Sequence, residues 1–571
     1  MIAVCSETSL SQTRPWHSPP IGFLGAAGLM IFLLLIPSAF PALEIWPSLI
    51  FIVALALFAP AYGLALGIFI APFQQFASLN LDQFHLLQGV AWSFIAFRLL
   101  LLIQPRDLLR IRTSPTIIFF GAFTCLVLFR NAIPFTSRFY FLDAGFVVTI
   151  FLITMTVGTA TRLPSYSWTL VSTAMLSAVL FSILFDFALV YIPLAELTPY
   201  QSALPPDKLR LAGLHANPNA TSKFLLAAVS LTSALVVGRV FKEDRLRAWY
   251  AWLLLAVLLL ALSATAAKSG IAALVVSLSI AACLLMGSAW TQRHSSVLSP
   301  NDQVMEVGKV FALFVFAVAS WTIVIAPPIK ERGAAAWLAS GLPLDRPDLK
   351  ELAGNRAGAS EASATHPVTG GDSRPEGSRS SLTGAFIEEF RIGKSFQLKA
   401  GVAPGSSLES PLKSELQGQK ATKRDCGIMC TGQRDLLWSA GLSILKQNWF
   451  WGLGYGGWKQ ALDQKLGYPF DSPHVGFLEL AGEFGIMGAV LYLSFVAFIF
   501  NRAWRGLCLN GDGYRKAFIV GGSLFSVAIL TTELFEPAKF FAMAPHAIWI
   551  WTFLAMQERM LDDPDWVSSV G

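Results

Sequence analysis

Four short stretches of this 571-residue chain carry residue types that suit a phosphate-bearing substrate. The first is RLAGLHANPNATS, with Arg210, Gly213, His215, Asn217, Pro218 and Asn219. Asn-Pro-Asn ahead of an apolar run marks a turn, and Asn219 or Thr221 suits a helix cap. A cap plus a snorkelling arginine is the plain alternative. The second is TAAKSG, with Lys268 between two apolar runs, where an interfacial anchor is equally expected. The third runs from Gln433-Arg434-Asp435 to Gly452, Gly454 and Gly456. Amides in such a turn either cradle an anion or simply close a tight bend. The fourth is SPHVGFLELAGEFGIMGAVLYL. His474 stands at its mouth, as a base or as a capping histidine, and Glu479 and Glu483 share one helix face, four residues apart. Acids inside an apolar run are costly in lipid and tend to be functional.

Taken together, Arg210, Lys268 and Arg434 supply cations, and the arginine fork grips phosphate bidentately. His474 can accept a proton near neutral pH. This set suits a lipid phosphate or pyrophosphate. No Walker or dinucleotide fingerprint occurs, which argues against a nucleotide energy source. No cofactor and no carboxylate metal site is expected on this face.

The elements that must hold these residues are membrane helices. The chain is 54% hydrophobic and 14% charged, with a mean hydropathy of +0.57, against about 25% charged in soluble domains. A single aqueous core of this size is implausible, because cores stop growing near about 250–300 residues. The 17 Trp and 44 Phe fit a bilayer and its interfaces. The net charge of +6 comes from short basic clusters, read as topology signals rather than a nucleic-acid surface. Spans are expected from near Ile21, Leu43, Leu64, Leu87, Thr116, Tyr140, Trp168, Ser222, Ala248, Ser269, Val307, Val475, Ala517 and Phe540, about 14 in all. Pro60 and Pro72 allow a re-entrant pair between Ala59 and Asn80, which would reduce the number to about 12.

The expected fold is therefore an all-α integral membrane bundle with one large loop between late helices. Its parts are a polar tail over 1–20, a first bundle over 21–326, the loop over 327–474, late helices over 475–557 and a tail over 558–571. The run from Ile21 has no small-residue cleavage site and is expected to be the first span. With both tails inside, three basic clusters fall on the cytoplasmic side: Arg106, Arg110 and Arg112; Arg239, Lys242, Arg245 and Arg247; Arg502, Arg505, Arg515 and Lys516. The four chemical stretches then face outward, taken as the periplasm of a two-membrane bacterium. Within the loop, 332–424 is rich in Gly, Ser, Ala and Lys and is expected to be disordered. From 433 to 474, helical spacing in RDLLWSAGLSILKQ and the turn WFWGLGYGGW suggest an ordered amphipathic part on the membrane surface. Cys125 and Cys283 are expected to pack as small hydrophobes. CGIMC, with Cys426 and Cys430, is weak for zinc and fits either a local disulfide or free thiols.

The order of these motifs resembles the O-antigen ligase and polymerase superfamily of bacterial membrane glycosyltransferases, from about Arg210 to the last span. Arg210, Gly213 and Asn217-Pro218-Asn219 match its first motif, and Thr265 to Gly270 match a Thr-x-Ser-Arg-like turn loosely. Arg434, Gly452 and Gly454 match an arginine-led helix ending in Gly-x-Gly. His474, Glu479, Glu483, Gly485 and Gly488 match a histidine before a Glu-rich, Gly-ending helix start. Lys268 stands where the family usually has arginine, keeping the charge without the fork, and Val475 stands where it often has asparagine. The resemblance implies a metal-independent transfer of a glycan from undecaprenyl pyrophosphate in an inner membrane. The acceptor would be a lipid A–core sugar, another repeat unit or a protein hydroxyl, with other polysaccharide assembly proteins as further partners. A transporter or an export-complex scaffold is the alternative of another class.

Overall fold

The computed structural model describes residues 19–39, 45–73, 81–131, 138–191, 211, 214, 218–237, 244–291, 300–327, 434–454, 457–466, 476–507, 513–533 and 545–562. They all belong to one compact unit, Met1–Ala334 with Ile428–Gly571. The expected disordered part at 332–424, the CGIMC cysteines, residues 1–18 and residues 563–571 lie outside the described residues.

Among the described residues the regular structure is entirely helical, and a helix occupies every expected span. The helices are α1 Pro19–Ala39, α2 Trp46–Phe58, α3 Pro60–Ile70, α4 Leu81–Leu100, α5 Asp107–Thr113, α6 Pro115–Asn131, α7 Arg138–Thr159 and α8 Ser167–Tyr191. Next come α9 Pro218–Val237, α10 Arg245–Ala264, α11 Lys268–Thr291 and α12 Pro300–Ser320, which continues into a π turn at Trp321–Ile325. The last are α13 Arg434–Asn448, α14 Gly457–Leu466, α15 Gly476–Leu507, α16 Gly513–Thr532 and α17 Pro545–Asp562. Proline opens α1, α3, α6, α9, α12 and α17, where its missing N–H costs nothing. Among the described residues, five helices are long and apolar enough to cross a membrane: Ser167–Phe185, Pro218–Val237, Arg245–Ala264, Val304–Ile325 and Gly476–Gly506. Large apolar side chains point outward, among them Phe58, Leu184, Phe316 and Ile323, as an apolar solvent requires. Cys125 and Cys283 are exposed as well. They sit on outward faces of apolar helices.

The segment after Leu43 shows how breaks are managed. The helix stops at Ala59, and Pro60 starts α3, with Gly63 against the Ala56 backbone. At about 1.5 Å per residue, the 13 residues of α2 and the 11 of α3 each fall short of a hydrocarbon core about 30 Å thick. The central part of α3 is buried throughout, so its last carbonyls need partners other than water. They find Trp549 Nε1 donating to Ile68 O at 2.9 Å and Gln88 Nε2 donating to Ile70 O at 3.2 Å.

Helix direction follows from close contacts. Gly506 meets Ile519, and Gly521 meets Ser230 and Ala234. At the far end of α9, Gly270 meets Ser222. Arg106, Arg110, Arg245, Arg247, Arg502 and Arg505 therefore gather at one end of the bundle, the Arg502 end. Asn219, Lys268 and Gly485 lie at the other, the Gly485 end.

A buried polar node ties the Arg502 end together. Arg502 is 2% exposed; it donates to Thr116 Oγ1 at 2.7 Å and to Leu554 O at 2.6 Å, and it sits 3.5 Å from Glu558 Oε2. The same carboxylate oxygen accepts the Thr116 N–H at 3.0 Å, an amide that the first turn of α6 leaves without a helical partner. Next door, Arg559 donates to Ala160 O at 2.7 Å, and Asp107 accepts from Gln104 N and Thr161 N. The node joins α5, α6, α7, α15 and α17. Arg502→Ala is expected to cost about 3–5 kcal/mol, because it strands a buried carboxylate. Arg505–Asp562, 3.8 Å apart and half exposed, is worth under about 1 kcal/mol. Thermal unfolding in detergent checks this: Arg502→Ala lowers the midpoint far more than Arg505→Ala, and Arg502→Leu with Glu558→Leu recovers much of the loss.

Candidate functional site

The stretch after His474 does not form one straight helix. Gly485 has φ +62° and ψ −145° inside α15, a conformation open to glycine and strained for other residues. The arm 476–484 folds back on the arm 486–507. The Gly488 α-carbon lies against the Leu480 carbonyl, and the Phe477 and Tyr492 rings are 5.7 Å apart. In a straight helix those two residues would be about 22 Å apart. Glu479 and Glu483 therefore lie on a short folded-back arm, not within the membrane-crossing arm expected from Val475. Glu483 is 8% exposed and Glu479 is half-buried.

The fold-back leaves carbonyls without helical partners, and the glycine-rich turn supplies them. Leu453 N donates to Gly482 O at 2.9 Å, and Gly454 N donates to Glu483 O at 2.7 Å. Gly452 (φ +66°) presses its α-carbon on the Glu483 carbonyl, and Gly485 presses on the Phe450 carbonyl. Beneath this clamp Trp458 is 1% exposed and fits between Gly441 and Gly482, joining α13, α14 and the short arm. The amides of Leu453 and Gly454 are thus engaged, so the turn acts as a clamp there rather than as the anion cradle considered from sequence.

The start of the short arm is fixed from the other side. Gly476 N donates to Glu533 O at 2.8 Å, just past the end of α16. The Glu533 side chain, 0% exposed, accepts a hydrogen bond from the Tyr492 hydroxyl on the long arm. One residue thereby holds both arms. Stepping along α16 from Gly521, which packs on Ser230, brings Glu533 level with the first turns of antiparallel α9. Lys223, 2% exposed, lies in those turns. Lys223, Tyr492 and Glu533 were not singled out from sequence. For Lys223 and Glu533 a signal was available, since a charge beside or inside an apolar run is costly in lipid.

Two further stretches converge on the same end. Leu211 N donates to Ala264 O at 3.0 Å, and Leu214 N donates to Ser182 Oγ at 2.9 Å, so the segment flanking Gly213 is pinned to α10 and α8. Thr265 Oγ1 caps the α10–α11 turn by accepting Ala267 N at 3.2 Å, and Ala266 takes φ +47°. Lys268 follows, exposed at the start of α11. Asn219 is half-buried in the first turn of α9, its carbonyl accepting Ser222 Oγ at 2.7 Å. Below Leu214, Pro72 with α8 and α9 lines a small apolar cavity of about 10 Å³ between Pro72, Ser182, Thr221 and Phe224.

Of the expected site residues, Asn219, Lys268, Glu479 and Glu483 are thus gathered at the Gly485 end. Arg434 opens α13, and its side chain lies outside the described residues. Arg210, Asn217 and His474 also lie outside them; His474 is two residues before the anchored Gly476. Among the described residues no three His, Cys, Asp or Glu side chains form a group able to hold a metal.

No protein-family model matches the chain, and no curated protein is similar to it in sequence. The resemblance to the O-antigen ligase superfamily therefore rests on the order of its motifs.

Two outcomes test this geometry. Gly482→Ala would place a methyl group in the Trp458 ring, and Gly485→Ala would press one on the Phe450 carbonyl. Each is expected to destabilise the hairpin by about 1–3 kcal/mol or more and to speed proteolysis between residues 466 and 476. Gly89→Ala, with open space around it, is expected to be neutral or mildly stabilising. Tyr492→Phe takes a donor from the buried Glu533 carboxylate and is expected to cost about 1–3 kcal/mol in thermal unfolding.

Proposed function

We propose that this protein is a membrane glycosyltransferase that moves a glycan from undecaprenyl pyrophosphate to an acceptor hydroxyl at the outer face of a bacterial inner membrane. The observation that carries this reading is the anchored arm 476–484. Its first amide is held by the backbone carbonyl of the buried Glu533 toward one end of an apolar bundle, two residues after His474. The basic clusters at the opposite end support an outward-facing site by the positive-inside rule. A bundle of about 12–14 spans with the large loop at the site end fits the same orientation.

In this reading Arg210 and Arg434, with Lys268, hold the pyrophosphate and stabilise its charge as it departs. Asn217, Asn219, Glu479 and Glu483 line and order the substrate. His474 accepts the proton of the acceptor hydroxyl. The acceptor oxygen then bonds to the anomeric carbon, the bond from that carbon to the pyrophosphate oxygen breaks, and undecaprenyl pyrophosphate leaves with the electron pair. A lipid A–core acceptor, as for a ligase, is favoured over the end of another repeat unit, as for a polymerase.

The broken helix also favours a second reading, because transporters place half-helix ends at their substrate sites. Such breaks usually sit near the bilayer midplane. Here 22 residues follow Gly485 within α15, about 33 Å of helix, so the break lies at one end. That position suits a surface reaction better than a pathway.

The deciding experiment removes the gene, restores wild type or His474→Ala, and measures undecaprenyl-linked glycans by mass spectrometry. Lipid-linked material is expected to build up in both the null and the His474→Ala strain, as long chains for a ligase and as single units for a polymerase. An unchanged pool would refute the transferase and favour the transporter or scaffold. Turnover by the purified protein is expected to persist in a chelator.

A further inference from the structure

The turn that clamps the helix hairpin ends in three exposed aromatics that neither the hairpin nor the proposed chemistry uses. Trp449 is 57% exposed, Phe450 47% and Trp451 64%. They stack edge to face on one another, with ring centroids 5.4 Å and 4.9 Å apart, so the tip is a preformed apolar ridge. A ridge of this size facing water would be unfavourable by the ordinary cost of exposed apolar surface.

The height of the ridge is fixed. The Phe450 carbonyl touches Gly485, and the next residues of the turn bond the carbonyls of Gly482 and Glu483. The ridge therefore stands beside Ile486, the first residue of the long arm. From there an outward apolar stripe runs down that arm through Ile486, Met487, Val490 and Leu493, each more than 40% exposed. On a membrane-crossing helix this stripe faces acyl chains, so the ridge continues a lipid-facing surface at its upper edge. Lys446 and Lys459 are exposed on the flanking helices α13 and α14, where cations suit lipid phosphates. Aromatics at the apolar boundary with lysines beside them are the pattern of an interfacial anchor.

We propose that Trp449, Phe450 and Trp451 insert into the headgroup–acyl boundary of the bilayer and set the height of the α15 hairpin against the membrane surface. The bilayer then fixes where the arm 476–484 stands relative to any lipid-borne substrate. This anchoring does not depend on the reaction proposed above and is tested without it.

The test uses the full chain with Cys5, Cys125, Cys283, Cys426, Cys430 and Cys508 replaced by alanine, in vesicles of phosphatidylethanolamine and phosphatidylglycerol. A nitroxide is attached at Trp451→Cys, with Leu493→Cys as the lipid reference and Gln464→Cys, exposed on α14, as the water reference. The ratio of oxygen to water-soluble nickel-chelate accessibility at Trp451→Cys is expected to be several-fold above that at Gln464→Cys and close to that at Leu493→Cys. A ratio equal to that at Gln464→Cys places the tip in water and overturns the anchor. Low accessibility to both reagents marks a protein contact, such as a second copy, and overturns it as well. An independent measurement guards against a disturbed variant. Brominated lipids are expected to quench wild-type tryptophan emission more than that of Trp449→Phe/Trp451→Phe, and equal quenching would also refute the anchor.

Discussion

In hydrocarbon no water waits to receive a freed peptide group, and each unsatisfied one costs several kcal/mol. A chain that interrupts its helices inside such a bundle must therefore provide a donor or acceptor at every interruption. Three interruptions here show how the rest of the structure answers that demand. After α3, the buried carbonyls of Ile68 and Ile70 receive the Trp549 indole and the Gln88 amide. At Gly485, the freed carbonyls of Gly482 and Glu483 receive the amides of Leu453 and Gly454. Past α16, the Glu533 carbonyl receives Gly476. In each case the partner comes from a segment remote in sequence, so satisfying one break also docks a second element. The clamp of α13 and α14 onto the hairpin is a consequence of that rule rather than an addition to it.

Buried charge obeys the same logic with different results at the two ends. At the Arg502 end, the guanidinium meets a carboxylate, a hydroxyl and a carbonyl, and the carboxylate also caps α6. The charges there are consumed in holding helices together, which is a sufficient account of their burial. At the Gly485 end, Lys223, Glu483 and Glu533 are buried where the bundle meets irregular chain. Desolvated charge at the mouth of a bundle is costly to keep, which is consistent with the site proposed at that end.

Much of this was legible in the sequence. Apolar runs of the right length located the helices, basic clusters sorted the ends, and the aromatic, glycine-rich stretch after α13 marked a turn. The fold-back at Gly485 was not legible, because glycine is frequent in membrane helices and the run from Val475 is unbroken in hydropathy. Only the left-handed φ of one residue separates a long span from a hairpin. The outward faces of Cys125 and Cys283 escaped for a similar reason: composition says that a residue is in an apolar run but not which way it points. Lys223 and Glu533 were readable as charges in apolar surroundings. The amides of the glycine-rich turn illustrate the converse. Their number and spacing suit an anion, yet carbonyls freed elsewhere in the chain claim Leu453 and Gly454 first.

The hairpin finally bears on why the short arm exists. The arm 486–507 supplies about 33 Å of helix by itself, enough to cross a hydrocarbon core of about 30 Å. The arm 476–484 is therefore surplus to crossing. It is nevertheless held at its start by Glu533, at its end by two backbone bonds to the turn, and on its flank by Trp458 packed on Gly482. Constraint of this density on a segment with no spanning duty follows if its start must be held in place. Two residues ahead of that start is His474, which the proposed reaction uses for proton transfer. Proton transfer requires hydrogen-bond reach, and misplacement by about 1 Å can lower a rate by about a hundredfold. A helix anchored at both ends and wedged on its side is the kind of support that such a tolerance demands.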